Sequence, residues 1–382
     1  MNARSILSLT AAGACVFALA ACGSDDDNST STSSASTSTP AAAATTEGGG
    51  TTSGKIALLL PESKTARYES QDKPNFTKKL AELCPDCEVI YSNADQDASK
   101  QQSQADAAIT NGAKVLVLDP VDSASAASIA TKAKSQNIPV ISYDRLITGA
   151  PVDYYISFDN VKVGELQGTA LSDKLEADGN AKGPIVKING APTDNNAKLF
   201  KQGSNDVFSQ RGVTIAKQYD TPDWSPDKAQ SEMEQAITAV GKDKIKGVYA
   251  ANDGTAGGAI AAMKSAGMDP TKIPTTGQDA ELAAIQRIVA GEQFMTVYKA
   301  IKPEAEAAAQ LAFDLLNGKT PDSSTVNGET DNGSGQIPSV LLQPVTVTKD
   351  NVNDTIVADG FWTAAQICTP EYKAACTAAG IS

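Results

Sequence analysis

The 382-residue chain contains no histidine. That absence removes His-based nucleophilic triads, His metal ligands and the commonest general base, while catalysis by carboxylates alone stays open. Positive charge is in deficit, with 32 Lys and Arg against 45 Asp and Glu and a formal net charge of −13. Such a balance argues against a nucleic-acid or anionic-membrane partner. The apolar stretch Ile6–Ala21 falls short of the ~20 residues of a comfortable membrane span.

That stretch fits an export signal. Asn2 to Arg4 form a short basic start, Ile6–Ala21 an apolar body, and Leu19-Ala20-Ala21-Cys22 a cleavage site ending on cysteine. The last four residues resemble a bacterial lipobox, whose cysteine is acylated and becomes the new amino terminus. A secretory signal that merely contains a cysteine is the plainer alternative. Residues 1–21 are thus expected to be a lipoprotein signal peptide, with Cys22 as the lipidation site. Residues 22–54 are almost wholly Ser, Thr, Ala, Gly and Asp. They cannot bury enough surface to offset their ordering entropy and are predicted to be a disordered tether, with an r.m.s. span of roughly 30 Å. One acyl chain anchors marginally, so stable attachment needs the full diacyl modification. The expected location is extracytoplasmic, at the cell membrane.

Cysteine usage agrees with export. Beyond Cys15 in the signal and Cys22, there remain Cys84, Cys87, Cys368 and Cys376. An even number in an oxidising compartment suggests two disulfides, and the expectation among three connectivities is the sequence-local pairing of Cys84 with Cys87 and Cys368 with Cys376. Cys84-Pro85-Asp86-Cys87 also has the spacing of a thiol redox motif. Such motifs open a helix after a strand, whereas this one follows a helical pattern and precedes a strand at Val89.

From Lys55 onward, short apolar runs alternate with helical patterns, without hairpin signals. Ile56–Leu60, Val89–Tyr91, Val115–Leu118 and Val140 onward read as buried strands; Phe76, Leu80 and Leu83 share one helix face. The alternation predicts a parallel sheet covered by helices on both faces. It restarts after Asp159-Asn160 and ends in an alanine-rich helix, Pro303–Leu316, and a strand-like run, Val340–Val347. Two α/β units with a helix and strand left over imply that the chain passes between lobes more than once. A hinge of that kind closes on a ligand, although a two-domain enzyme has the same pattern. The expected division is 55–158 plus 300–337 for a first lobe, 159–299 plus 338–362 for a second, and 363–382 for a cysteine-containing tail.

Polar residues follow each apolar run, where an open parallel sheet binds its ligands. They are Tyr143-Asp144-Arg145, Tyr155 to Asn160, Asp194 to Lys198, Ala251-Asn252-Asp253, Gly277-Gln278-Asp279 and Val297-Tyr298-Lys299. In this order, over about Lys55–Phe361, the set resembles the D-xylose-binding proteins within the ribose-binding-protein-like family of periplasmic binding proteins that serve bacterial ABC sugar importers. The resemblance implies a type I periplasmic binding protein fold, with two doubly wound lobes joined by a multi-strand hinge. It also implies a monomeric receptor, not an enzyme, that needs no cofactor or metal and delivers a monosaccharide to a permease. Carried over, Asp144, Arg145, Asp194, Asn196, Asn252, Asp279 and Lys299 would hydrogen-bond sugar hydroxyls, Trp224 would stack on a ring face, and Arg67 with Tyr68 would contribute from the loop after the first strand. The segment Glu62–Ser70 departs from the acidic stretch usual in xylose receptors.

These residue types suit a sugar on chemical grounds. Asp and Arg each engage neighbouring hydroxyls, Asn both donates and accepts, and an aromatic covers apolar C–H faces. Three acids (Asp144, Asp194, Asp279) against three bases (Arg67, Arg145, Lys299) would leave no net demand on the ligand, which points to a neutral one. Asp253 is expected to cap a helix, Gly257-Gly258 to let that helix approach the sheet, and Tyr155 and Phe158 to pack in the core or hinge. The alternatives are a sensor for a chemoreceptor or kinase, a glycoside hydrolase resting on paired carboxylates, and a regulator of like fold. The hydrolase is disfavoured where each acid has a cation holding it ionised. The regulator would carry a DNA-binding head where the lipobox and leash stand.

Overall fold

The computed structural model describes residues 53–381. The expected signal peptide, the lipidation site Cys22 and nearly all of the tether lie outside the described residues.

The first lobe contains β1 (Lys55–Leu60), α1 (Lys73–Leu83), β2 (Glu88–Asn93), α2 (Ala98–Thr110), β3 (Ala113–Leu118), α3 (Ala127–Ser135), β4 (Val140–Tyr143) and β5 (Tyr154–Phe158). The second contains α4 (Asn160–Ala177), β6 (Ile185–Asn189), α5 (Asn195–Arg211), β7 (Ile215–Asp220), α6 (Pro226–Val240), β8 (Gly247–Ala250), α7 (Asp253–Ser265), α8 (Leu282–Ala290) and β9 (Met295–Tyr298). The chain returns to the first lobe as α9 (Ile301–Leu316), β10 (Gly328–Asp331) and β11 (Gln336–Leu342), crosses again into β12 (Val345–Thr348), and ends in α10 (Ala364–Ile367) and α11 (Lys373–Ala378).

The first sheet has the order β10-β11-β5-β4-β3-β1-β2 and is parallel apart from β10. Its strands are apolar on both faces because helices cover both: Leu59, Leu116 and Leu118 pack toward one side, and Leu58, Leu60, Val115 and Val117 toward the other with α1 and α9. The alanine faces of α9, with Ala305, Ala308, Ala309 and Ala312 buried, let that helix lie close. The second lobe has parallel β7-β6-β8, extended through single bridges Val248–Thr275 and Gln278–Val297 to the antiparallel pair β9-β12.

Three expectations need correction. Val340–Val347 is not one strand, since β11 pairs with β5 in the first sheet and β12 with β9 in the second. Pro344 between them has no N–H to continue a ladder, and the crossing falls after Leu342, so β11 runs through the boundary expected at 337/338. A hairpin does occur, joining β10 to β11 through Asn332-Gly333-Ser334-Gly335. Gly258 serves helix packing rather than approach to the sheet, because a Cβ there would stand 2.1 Å from the Pro226 carbonyl at the start of α6; Gly257 faces Arg287.

The cysteine sulfurs pair locally, Cys84 with Cys87 at 1.99 Å and Cys368 with Cys376 at 2.11 Å. Cys84 lies at the end of α1, so the pair closes a turn behind the helix. Among the described residues no helix is long and apolar enough to cross a membrane.

Candidate functional site

The two lobes and the crossings meet at a cavity lined by Thr65, Tyr68, Asp144, Arg145, Asp194, Asn196, Phe200, Trp224, Asn252, Gln278, Asp279 and Lys299. None of these residues is more than 5% exposed, so the lobes are closed over it. Its walls leave ≈ 260 Å³ of space between them, a figure that includes space open to solvent.

Local sequence explains how each group reaches the cavity. Asp144 follows β4 with φ 52° and Asp279 stands at φ 92°, left-handed conformations that residues with a Cβ adopt at a cost. Trp224 (φ 52°) ends a short turn after β7, and its indole lies where a Cβ on Gly190 would come within 2.0 Å of the ring, so only glycine leaves it room. Asp194 caps α5, accepting from the Asn196 N–H at 2.8 Å. Asn252 caps α7, accepting from the Thr255 N–H and hydroxyl. Helix starts at the carboxyl ends of β6 and β8 thus aim polar caps at one point. The expected cap Asp253 is instead the first residue inside α7, buried and accepting from Gln293, Thr296 and the Glu281 N–H.

Two guanidinium groups organise the charges. Arg145 places Nε 3.2 Å from Asp194 Oδ2, tying the first lobe to the second, and also faces Glu62 at 3.5 Å and Asp119 at 3.6 Å. Arg67 gives Nε and Nη2 to Asp72, Nη2 to Glu304 at 2.6 Å and Nη1 to Asp144 at 3.3 Å. Lys299 stands 2.9 Å from Asp279 and 3.9 Å from Asp144, so those two carboxylates face the same ammonium. Tyr68 donates to Asp144 Oδ2 at 2.9 Å, Asn196 Nδ2 to the Asp144 carbonyl at 2.9 Å, and Trp224 Nε1 to Asp194 Oδ2 at 3.1 Å. Phe200 meets the Trp224 ring edge-on, centroids 6.3 Å apart. Tyr155 and Phe158 do not line the cavity; the Tyr155 hydroxyl lies behind it, within reach of the Asp144 carbonyl.

Nine of the ten expected binding residues therefore share one cavity. The exception is Arg67, which stands behind the wall with its guanidinium nitrogens taken by carboxylates and reaches the cavity through the lining residues Asp144, Asp279 and Tyr68. Thr65, Phe200 and Gln278 line the cavity without having been expected there. Gln278 was legible from its place beside Asp279 at a strand end, and Asp119 from its place at the end of β3.

The expected balance of three acids and three bases does not hold. Glu62, Asp72, Asp119 and Glu304 also lie within ion-pair distance of the same cations, so seven carboxylates surround Arg67, Arg145 and Lys299. Burial disfavours the charged form of these carboxyls. It pushes Asp119 and Asp194 above the usual carboxylate range against the pull of Arg145, and Glu304 likewise against Arg67. A cation beside Asp194 therefore does not by itself hold that carboxyl down. Burial would raise Asp144 as well, but Arg67, Lys299, Arg145 and the Tyr68 hydroxyl outweigh it and bring it down to about 2. The cavity thus sets the acceptor Asp144 among donors (Arg145, Lys299, the Trp224 N–H) and the amides of Asn196, Asn252 and Gln278, which both donate and accept, the equipment for binding a polyhydroxylated molecule.

Residues 56–320 match a family model described as periplasmic binding protein domain. The chain is 39% identical over 312 residues to the D-xylose-binding periplasmic protein of Escherichia coli (strain K12), covering 80% of this chain and 90% of that one. It is 38% identical over 318 residues to the protein of the same description from Haemophilus influenzae, covering 82% and 92%. Among solved structures, an ABC transporter solute binding protein from Clostridium phytofermentans with bound beta-D-glucose superposes with a TM-score of 0.72 at 30% identity, covering 82% of this chain and 99% of that one.

Proposed function

The chain belongs to the periplasmic binding protein family, and from that membership we propose that it is an extracytoplasmic receptor whose lobes close on a neutral monosaccharide, D-xylose or a related aldose, and deliver it to an ABC import permease. One observation carries the reading: nine residues expected from the family resemblance, drawn from the two lobes and the crossing after β9, line a single buried cavity. Asp144, Asp279 and Asn252 engage ring hydroxyls, Arg145 and Lys299 donate to hydroxyl oxygens, and Trp224 with Phe200 covers a C–H face. A site specified this way rejects an analogue lacking a hydroxyl, because a buried partner is left unpaired. The relatives named above are solute-binding proteins, not enzymes.

Calorimetry against D-xylose, D-ribose, L-arabinose, D-glucose and D-galactose tests the reading. Binding of one or two aldoses supports it, and binding of none refutes it. Lipid attachment at Cys22 predicts that Cys22→Ala releases the protein from membranes; continued membrane association counts against the anchor. Deletion separates import from sensing, since loss of sugar uptake supports delivery to a permease, while intact uptake with a lost response supports a sensor.

A further inference from the structure

Residues beyond Asp359 take no part in the cavity, yet they grip the segments that build it. Asp279 and Ala280 stand together at φ 92° and 51°, a pair of left-handed residues of which neither is glycine. Such a turn persists only where its surroundings over-determine it. From inside the lobe it is held by the Asp279 N–H to the Val297 carbonyl at 3.0 Å and the Ala280 N–H to Thr296 Oγ1 at 3.3 Å. From outside, the Trp362 indole Nε1 donates to the Ala280 carbonyl at 2.8 Å.

Trp362 is itself braced. Its ring meets Phe361 edge-on at 5.5 Å, and Phe361 meets Tyr298 at 5.1 Å. Tyr298 directly precedes Lys299, the partner of Asp279, and its hydroxyl donates to Asp359 at 3.1 Å. The Phe361 carbonyl accepts from Gln71 of the first lobe, inside the turn that carries Tyr68 and Asp72. Beyond it, the tail buries Ile367, Cys376 and Ile381 in one apolar cluster with Ile285 and Ile288 of α8, and the Cys368–Cys376 disulfide closes it.

We propose that Trp362 is a positioning residue for the binding site, with its indole N–H fixing the Ala280 carbonyl and thereby the direction of the Asp279 carboxylate beside Lys299, and with the disulfide-closed tail holding Trp362 in place. The sugar that Asp279 would engage rests on the receptor reading above; the bracing of the turn does not. Without this contact the Asp279–Ala280 turn relaxes toward ordinary backbone, and the carboxylate leaves the cavity wall.

Trp362→Phe keeps the ring and its contact with Phe361 while removing the N–H donor. Hydrogen–deuterium exchange of the sugar-free, full-length protein is expected to speed at least tenfold at amides 279–281 and to stay unchanged in β1 and β3. Unchanged exchange at 279–281 overturns the proposal whether or not the protein binds sugar. Should that variant not fold, Cys368→Ala with Cys376→Ala leaves Trp362 intact and loosens its anchor, so a smaller acceleration at the same amides is expected and none overturns it. For D-xylose, Trp362→Phe is expected to raise Kd five- to tenfold alone and less than twofold when Asp279→Asn is already present. An equal loss in both backgrounds assigns Trp362 to general stability and overturns the positioning role. Failure of the unaltered protein to bind any aldose refutes the receptor reading and leaves the exchange result to decide this one.

Discussion

Asp144→Asn separates affinity from stability and gives each a size. Asn preserves the shape, tolerates the left-handed φ of 52° that alanine would resist, and keeps one oxygen for the Tyr68 hydroxyl. What it loses is charge. A hydrogen bond from a sugar hydroxyl to a buried carboxylate contributes about 2–3 kcal/mol more than the truncated site retains, so Kd should rise about 30- to 150-fold. The stability cost follows from linkage. The Asp144 carboxyl lies at about 2 in the folded protein, depressed from ~3.9 when unfolded, so its ionised form contributes stability above pH ~4 that is lost as pH falls through about 2. Its neutral mimic should cost on the order of 2 kcal/mol at pH 7, a shift in Tm of several degrees in a domain of this size. Calorimetry with D-xylose at 20 °C, far below the melt, reads the first effect, and scanning calorimetry reads the second. A Kd within threefold of the original would refute the placement of Asp144 in the site. Asp194→Asn is the control of opposite sign, because burial raises that carboxyl. It should weaken binding too, yet leave Tm at pH 7 unchanged or higher.

Three further outcomes are expected. Trp224→Ala should weaken sugar binding at least tenfold while a cooperative melt is retained, since the lost ring contact exceeds about 1.4 kcal/mol; unchanged affinity would place the indole outside the ligand's reach. Cys368→Ala with Cys376→Ala opens a short loop and should remove roughly 2–3 kcal/mol of stability, and an unshifted Tm would show that the tail holds without its staple. Asp253, pushed up to about 7 by burial against Arg287 and Gln293, gives stability that is full below the unfolded value near ~4 and lost as pH rises through about 7. Tm should therefore climb between pH 8 and pH 5, and a flat profile would mean that Asp253 is ionised throughout.

The fold was legible where apolar periodicity and punctuation agreed. β1, β3 and β4 are apolar runs that end on charged or polar residues, and both the parallel sheet and the cavity follow from that. The β10–β11 hairpin was hidden because β10 is polar and half exposed, with Gly333 and Gly335 reading as linker. Val340–Val347 looked continuous because composition does not show which sheet receives each half; Pro344 was the available clue.

Within the site, Asp144, Asp194, Asn252 and Asp279 could be found because each follows an apolar run. Glu304 and Asp72 could not. Glu304 sits in the first turn of a helix, where an acid suits the dipole whatever else it does, and Asp72 sits in a polar stretch with nothing to mark it as buried. Only the fold brings both to Arg67, and with them the excess of carboxylates that the sequence count concealed. The same holds for Trp362, whose partner at Ala280 lies 82 residues away.

The most direct test of the central claim is a crystal structure of the protein grown with D-xylose. The account predicts one pyranose in the cavity between the lobes, its hydroxyls within hydrogen-bond distance of Asp144, Asn252 and Asp279 and a ring face against Trp224. A sugar bound elsewhere, or closed lobes with none between them at saturating sugar, would contradict it.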